Sequence, residues 1–227
     1  NVSIVGGGQN PRPGEISLSH QGVLFFDEFP EFNRDTIEAL RQPLEDRVIT
    51  VARAKDTITY PAKFILVATS NPCPCGYFGT SKDCVCLPGQ ISKYQNKISG
   101  PIIDRIDLFI DVDEVEHNTL LSEGNKSINS LSVRSKVMAA RKSQFERFGS
   151  SMLNAEMSNR DIKTKAKLTK DAETILNNAA DKLQISARSY MRAIKVARTI
   201  ADLADSETID APHITEALQY RKARSVL

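Results

Sequence analysis

The sequence "GVLFFDEF" at residues 22–29 has four apolar side chains in a row, followed by two adjacent acids, Asp27 and Glu28. A short apolar run without alternation is typical of a parallel strand that is covered on both faces. Parallel sheets bind their ligands at the carboxyl ends of the strands, which is where these acids would lie. The sequence therefore predicts a buried strand with a polar site at its end.

Adjacent acids at such a place have two interpretations. In strand–loop–helix nucleotidases, the Asp holds the water shell of Mg²⁺, and the Glu orients and deprotonates the water that attacks the γ-phosphate. Alternatively, Asp27 and Glu28 are solvated turn residues before Pro30. The motif alone does not separate these interpretations, so the rest of the chain has to.

Composition sets broad limits on function. The chain has 227 residues, of which 41% are hydrophobic and 26% charged, as is typical of soluble globular proteins. Its longest apolar runs, such as "FILVA" at residues 64–68, are too short to span a membrane, so we expect a cytoplasmic protein without a membrane partner. The net charge of +2 does not indicate nucleic acid, and any such prediction must rest on local placement.

The first part of the chain has the pattern of an α/β domain. A helix is predicted to begin after Asn33, and "VITVARAKDTITYP" at residues 48–61 predicts a β-hairpin. Three short apolar runs predict parallel strands, at residues 23–26, 64–69 and 108–112.

From residue 119 the sequence becomes polar, charged and rich in alanine, which predicts a helical bundle. Thr169 and Asp210 are predicted helix N-caps. Four helices are predicted, at residues 133–148, 170–183, 187–203 and 211–222. We therefore expect an α/β core at 1–118, a linker at 119–132 and a helical domain at 133–227.

The order of these features resembles one family. Asn71 follows the second predicted strand, Arg105 precedes the third, and helices come last. With the strings "PRPGEISL", "NPCPCG", "ISGPIIDRIDL" and "VARTIADL", this order resembles the AAA+ ATPases of the magnesium-chelatase-like group, of the ComM/YifB type. The resemblance covers essentially the whole chain. It implies a partial AAA+ core, which is a P-loop NTPase fold with a parallel sheet, followed by an all-α helical lid domain.

The resemblance also implies roles for individual residues. Asp27 and Glu28 match the Walker B pair, for Mg²⁺ and for the catalytic base, and Asn71 matches sensor 1. Arg105 matches the arginine finger, which reaches the nucleotide of a neighbouring subunit in a ring.

Arg188 matches sensor 2, a nucleotide contact on the lid. Arg192 and Lys195 lie at helical spacing from it, so the alternative is a solvated basic face. The sequence does not separate Arg188 from Arg192 as the sensor.

One part of a nucleotide site is missing from the sequence, because no G-x-x-x-x-G-K-[ST] motif occurs. We therefore expect the chain to be the second half of an ATPase whose phosphate loop lies upstream, and to be inactive alone. Without the strand before that loop, apolar edges would remain at residues 64–69 and 108–112. We expect the α/β part to rearrange there or to pair between chains, while the helical part folds normally.

Four cysteines form a separate motif. Cys73, Cys75, Cys84 and Cys86 have the pattern C-x-C, eight residues, C-x-C, which predicts a structural Zn²⁺ site with four thiolate ligands. The alternatives are reduced free thiols or disulfides, and the absence of any secretion signal disfavours the latter.

The resemblance implies a hexameric ring that binds ATP and Mg²⁺ and drives DNA branch migration in recombination and natural transformation. Arg53 and Lys55 lie at the predicted hairpin tip, which in related rings tracks a phosphate backbone in the central pore. A solvated turn is the alternative for this tip. Two other functions stay open: a chelatase subunit that drives Mg²⁺ into a tetrapyrrole, and an interaction fragment without activity.

Overall fold

The computed structural model describes residues 2–7, 12–52, 57–112 and 129–221. The chain divides into two compact units, residues 1–105 and residues 106–227. Most of the predicted linker at 119–132 lies outside the described residues. The predicted division into a core at 1–118 and a helical domain at 133–227 therefore stays a prediction.

The first unit contains short strands and short helices. Its strands are β1 (Gly6–Gly7), β2 (Arg12–Pro13), β3 (Val23–Phe26), β4 (Val48–Ala52), β5 (Thr57–Pro61) and β6 (Ile65–Ala68). Its helices are α1 (Val2–Val5), α2 (Glu15–Leu18), α3 (Arg34–Ala39), α4 (Arg41–Asp46), α5 (Pro88–Gln95) and α6 (Gly100–Ile103), with a 3₁₀ turn at Phe29–Glu31. Strand β1 pairs with β2, and β4 pairs with β5, both antiparallel.

The central pairing of this unit is parallel and joins β3 to β6. The register places Val23 opposite Ile65 and Phe26 opposite Ala68. Both strands therefore end at the same edge of the sheet, where Asp27 follows one strand and Thr69 follows the other. This confirms the predicted α/β class with a parallel sheet and the two predicted strands that form it.

The prediction that these strands are covered on both faces is wrong for the described residues. Leu24 and Phe26 fill one face and are buried. The apolar side chains of the other face stay 42–59% exposed, namely Val23, Phe25, Ile65 and Val67. A two-stranded sheet with a single packed layer leaves its second face in contact with solvent, and no second layer is described here.

The prediction of a third strand at residues 108–112 is also wrong. Residues 106–112 have no regular secondary structure, and Leu108 and Ile110 are 46% and 67% exposed. The Phe109 N–H donates to the carbonyl of Tyr220 at 2.8 Å. A strand needs a neighbour to complete its backbone hydrogen bonds, and this segment bonds to the end of a helix instead. Pairing between chains stays a prediction.

The helix and the hairpin predicted between β3 and β6 both form. Asn33 is the N-cap of α3, and its Oδ1 accepts a hydrogen bond from the Thr36 N–H at 2.9 Å. The predicted helix is divided into α3 and α4, because Pro43 has no N–H with which to continue the hydrogen-bond ladder. Strands β4 and β5 pair along their whole length.

The second unit is helical, as predicted. Its helices are α7 (Ser130–Phe148), α8 (Asn159–Lys165), α9 (Lys170–Leu183), α10 (Ala187–Leu203) and α11 (Ala211–Gln219), with a 3₁₀ turn at Asn154–Glu156. Helix α8 is the one that the sequence pattern misses. The Thr169 hydroxyl caps α9 by accepting from the Ala172 N–H at 3.4 Å, and α11 begins after Asp210. Within the described ranges, no helix combines the length and hydropathy needed to cross a membrane.

A buried ion network lies near the end of α10. Arg198 is 0% exposed and Asp202 is 5% exposed. Arg198 Nε donates to Asp202 Oδ1 at 3.1 Å, and Arg198 Nη1 donates to the Glu207 carbonyl at 2.9 Å. Arg147 of α7 pairs with the same carboxylate, and Asn154 Nδ2 donates to it at 2.8 Å. Because buried charges are costly unless paired, this carboxylate fixes α7, α10 and the Asn154 turn together.

Asp202→Asn is expected to lower the free energy of unfolding by about 3–5 kcal/mol, because the neutral amide leaves two arginines without a buried counter-charge. Denaturant unfolding of the chain, followed by circular dichroism, measures this change. Asp181→Asn is the matched control, since Asp181 is exposed on α9, and its effect should stay within about 0.5 kcal/mol. Equal unfolding midpoints for the two variants would contradict a structural role for the network.

Candidate functional site

The site lies at the edge where β3 and β6 end. The Thr69 hydroxyl donates to Asp27 Oδ1 at 2.5 Å and accepts from the Glu28 N–H at 2.9 Å. The backbone continues the pairing, since the Phe29 N–H donates to the Thr69 carbonyl at 2.8 Å. One hydroxyl thus orients the Asp27 carboxylate and holds the backbone at Glu28. The sequence prediction identifies Asp27 and Glu28 but misses Thr69, which is detectable only once the register of the two strands is known.

The backbone turns sharply at the second acid. Glu28 has φ 51° and ψ 49°, which is a left-handed backbone conformation that residues other than glycine rarely adopt. Phe29 follows it and is buried, with its ring 5.3 Å from the ring of Phe26 in an edge-to-face contact. The buried ring anchors the turn, while Asp27 and Glu28 stay exposed. Backbone strain held by neighbouring packing is a feature found at functional sites.

Asn71 lies two residues beyond Thr69 and is exposed. Tyr94, which is a buried residue of α5, lies close to the Asn71 backbone. Burial raises the pKa of Tyr94, and the carboxylates of Glu31 and Glu28 raise it further. Tyr94 therefore lies between the segment that carries Asn71 and the acids that follow β3. The sequence prediction misses this tyrosine.

Arg105 follows α6 and is engaged within the first unit. Its Nε lies 3.1 Å from Glu45 Oε2, and its Nη1 donates to the Pro101 carbonyl at 2.8 Å. Only 13% of its side chain is exposed. The guanidinium therefore links α4 to α6, and its predicted action on the nucleotide of a neighbouring subunit stays a prediction.

The two arginines near the start of α10 have different surroundings. Arg188 is the second residue of the helix and is exposed. Arg192, one turn later, pairs with Asp107 at 2.6 Å between Nη1 and Oδ1, and 17% of its side chain is exposed. This pairing gives Arg192 a structural partner. The prediction that Arg188 contacts nucleotide stays a prediction, as does any role of Arg53 and Lys55, which lie outside the described residues.

The structure brings the four cysteines together, as the zinc prediction requires. Their Sγ atoms all lie within 4.8 Å of one another, and none of the four is in a disulfide. The Tyr77 N–H lowers the pKa of Cys75 to about 6, whereas burial raises the pKa of Cys86 to about 12. A backbone N–H stabilises the thiolate of Cys75, whereas burial disfavours the charged form of Cys86.

Three curated proteins show how far the similarity reaches. Competence protein ComM of Haemophilus influenzae is 45% identical over 219 residues, which is 96% of this chain and 42% of that protein. The Escherichia coli protein YifB is 42% identical over 220 residues, 97% of this chain and 43% of that protein. Maternal DNA replication licensing factor mcm6 of Xenopus tropicalis is 24% identical over 220 residues, 91% of this chain and 25% of that protein. The chain spans less than half the length of these relatives.

Two family models match the chain in succession. The model of magnesium chelatase, subunit ChlI, matches residues 1–120. The model of the C-terminal part of the same subunit matches residues 127–221. With nearly the whole chain covered in this way, the protein belongs to the magnesium chelatase subunit ChlI family, of the ComM/YifB type.

Proposed function

We propose that this chain carries the hydrolytic carboxylates of a hexameric AAA+ ATPase in the cytoplasm, and that this ATPase is a motor for DNA branch migration. The observation that carries the proposal is the arrangement of Asp27, Glu28 and Thr69 at the carboxyl edge of a parallel strand pair. Family membership supports an ATPase, and the hexameric ring is proposed from the resemblance to AAA+ proteins. The phosphate-binding loop is proposed to lie in another part of a longer protein.

ATP and Mg²⁺ are the cofactors that these residues fit. Asp27 is an exposed carboxylate oriented through one oxygen by Thr69, so its other oxygen suits the water shell of Mg²⁺. When bound, Mg²⁺ neutralises charge on the terminal phosphates. Glu28 is the proposed general base, which accepts a proton from the attacking water. Asn71, which follows the neighbouring strand, is proposed to hold that water in place.

Two arginines are proposed to complete the site. Arg105 is the proposed finger for the nucleotide of a neighbouring subunit, and Arg188 is the proposed contact from the helical unit. Because Arg105 pairs with Glu45 in this chain, a finger role requires it to exchange this carboxylate for a phosphate oxygen.

The proposed DNA substrate draws support from two kinds of observation. The names of two relatives refer to competence and to DNA replication. In addition, β4 and β5 form a paired ribbon, and the sequence between them contains two basic residues, Arg53 and Lys55. These two basic residues are proposed to track the phosphate backbone of DNA.

A second candidate function is a chelatase subunit that drives Mg²⁺ into a tetrapyrrole. The description of the matching family model favours it. The cysteine cluster and the similarity to ComM favour the DNA motor. An assay of Mg²⁺ insertion into protoporphyrin by the full-length protein, supplied with the other subunits of a chelatase, separates the two functions, because a DNA motor does not support insertion.

Glu28→Gln in the full-length protein is expected to lower ATP turnover by about 10²–10⁴-fold, because the amide cannot accept the proton of the attacking water. ATP binding should persist, since the proposed Mg²⁺ ligand and the phosphate loop are unchanged. Phosphate release and nucleotide affinity are the measurements. Glu31→Gln is the matched control. Glu31 lies three residues after Glu28 and pairs with Lys97, so this variant should keep wild-type turnover. Wild-type turnover in Glu28→Gln would overturn the proposed base.

Arg105→Ala in the full-length protein is expected to lower ATP turnover by about 10³-fold while nucleotide binding is retained, because the finger stabilises charge in the neighbour's transition state. Mixing Arg105→Ala with Glu28→Gln subunits should restore part of the turnover, since some interfaces then combine an intact base with an intact finger. Glu45→Ala tests the structural alternative. A loss in Glu45→Ala as large as that in Arg105→Ala would show that the arginine acts only by linking α4 to α6.

A further inference from the structure

The loop at residues 72–87 has four thiols that converge on one another, and its large apolar side chains are exposed. It contains no helix or strand, and its four Sγ atoms converge within 4.8 Å of one another. The larger apolar side chains of the loop stay 40–82% exposed, namely Tyr77, Phe78, Val85 and Leu87. A loop of this length without an apolar core needs another source of folding energy.

The distances between the sulfur atoms distinguish a disulfide from a shared metal ion as the source of this folding energy. Cys73 Sγ lies 3.4 Å from Cys75 Sγ and 3.7 Å from Cys84 Sγ, and the last two lie 3.6 Å apart. A disulfide requires about 2.05 Å between sulfurs, so these thiols are not placed as a disulfide pair. Four thiolates around one Zn²⁺, each about 2.3 Å from the metal, form a tetrahedron with edges of about 3.8 Å. The observed spacing is close to this value.

The backbone around the sulfurs is also arranged for anionic ligands. The Phe78 N–H points to Cys73 Sγ at 3.3 Å. Such a donor stabilises a thiolate. Gly76 has φ 84° and Gly79 has φ 80°, which are conformations that favour glycine, and these two glycines flank Tyr77 and Phe78 in the loop.

We propose that Cys73, Cys75, Cys84 and Cys86 bind a single Zn²⁺ in a structural site. Four protein ligands close the coordination sphere, so the metal holds the loop and activates no water. Soft thiolates select Zn²⁺ over the hard cations that serve phosphate chemistry. An iron–sulfur cluster would spread the four thiolates over several irons, whereas here they surround one point.

The metal site has a consequence for the proposed catalytic edge, and this consequence rests on the proposed function. Cys73 is buried and follows Asn71 by two residues, and the carbonyl of the intervening Pro72 accepts from Gln95 Nε2 at 3.0 Å. Metal binding at Cys73 therefore holds the segment that follows Asn71 in place. Loss of zinc is therefore expected to lower ATP turnover without abolishing nucleotide binding.

Metal content tests the site in the full-length protein, purified without chelator and analysed for all transition metals. Wild type is expected to hold about one zinc per chain, and Cys84→Ser/Cys86→Ser less than about 0.2. Val85→Ser is the matched control, because it changes the exposed residue between the two cysteines and should retain wild-type zinc. Equal zinc in the double variant and wild type, no metal in wild type, or iron in place of zinc would each overturn the proposal.

A measurement on the wild-type protein covers the case in which the double variant fails to fold. Exchange of the native metal for Co²⁺ should give the visible absorption of tetrahedral cobalt bound to four thiolates. An octahedral spectrum, or no cobalt uptake, would overturn the proposal. Zinc content and cobalt absorption do not depend on ATP turnover, so failure of the zinc site and failure of the proposed function are separate results.

Discussion

The parallel register between β3 and β6 is the constraint on which the candidate site depends. It brings the ends of two strands, 42 residues apart at Asp27 and Thr69, within hydrogen-bond distance. A shift of one residue would turn the alternate side chains to the opposite face and would separate the Thr69 hydroxyl from both acids. The acids are thus oriented by the fold and not by their sequence alone. The other face of the same pair leaves its apolar side chains exposed within the described residues.

The helical unit depends on a different interaction, the buried carboxylate of Asp202. Its partners Arg198 and Arg147 come from two helices, and Asn154 adds a neutral donor. Arg198 and Asp202 are part of "VARTIADL", one of the strings that marks the resemblance to the family. The structure gives this string a folding role, because its charged residues are buried and its alanines pack in the core.

The sequence predicted the positions of helices and strands more accurately than the contacts that these elements make. Apolar runs and caps located β3, β6, the helix after Asn33 and four helices of the second unit, because local patterns determine where such elements begin and end. Residues 108–112 have the same apolar pattern but form no strand, since pattern alone does not supply a neighbour. Thr69 was missed because its role arises from register. Arg198 was missed because basic residues on a helix are usually solvated, although Asp202 one turn later and the alanines beside it indicate burial.

ATP hydrolysis at the acids after β3 is proposed to drive movement of DNA. The most direct measurement is strand exchange on a branched DNA substrate by the full-length protein, with ATP and with a non-hydrolysable analogue. The branch is expected to move with ATP and wild-type protein. It is expected to stay in place with the analogue, or with a Glu28→Gln variant that binds DNA but does not hydrolyse ATP. Branch movement without hydrolysis, or vigorous ATP hydrolysis with no movement of any branched substrate, would contradict this proposal.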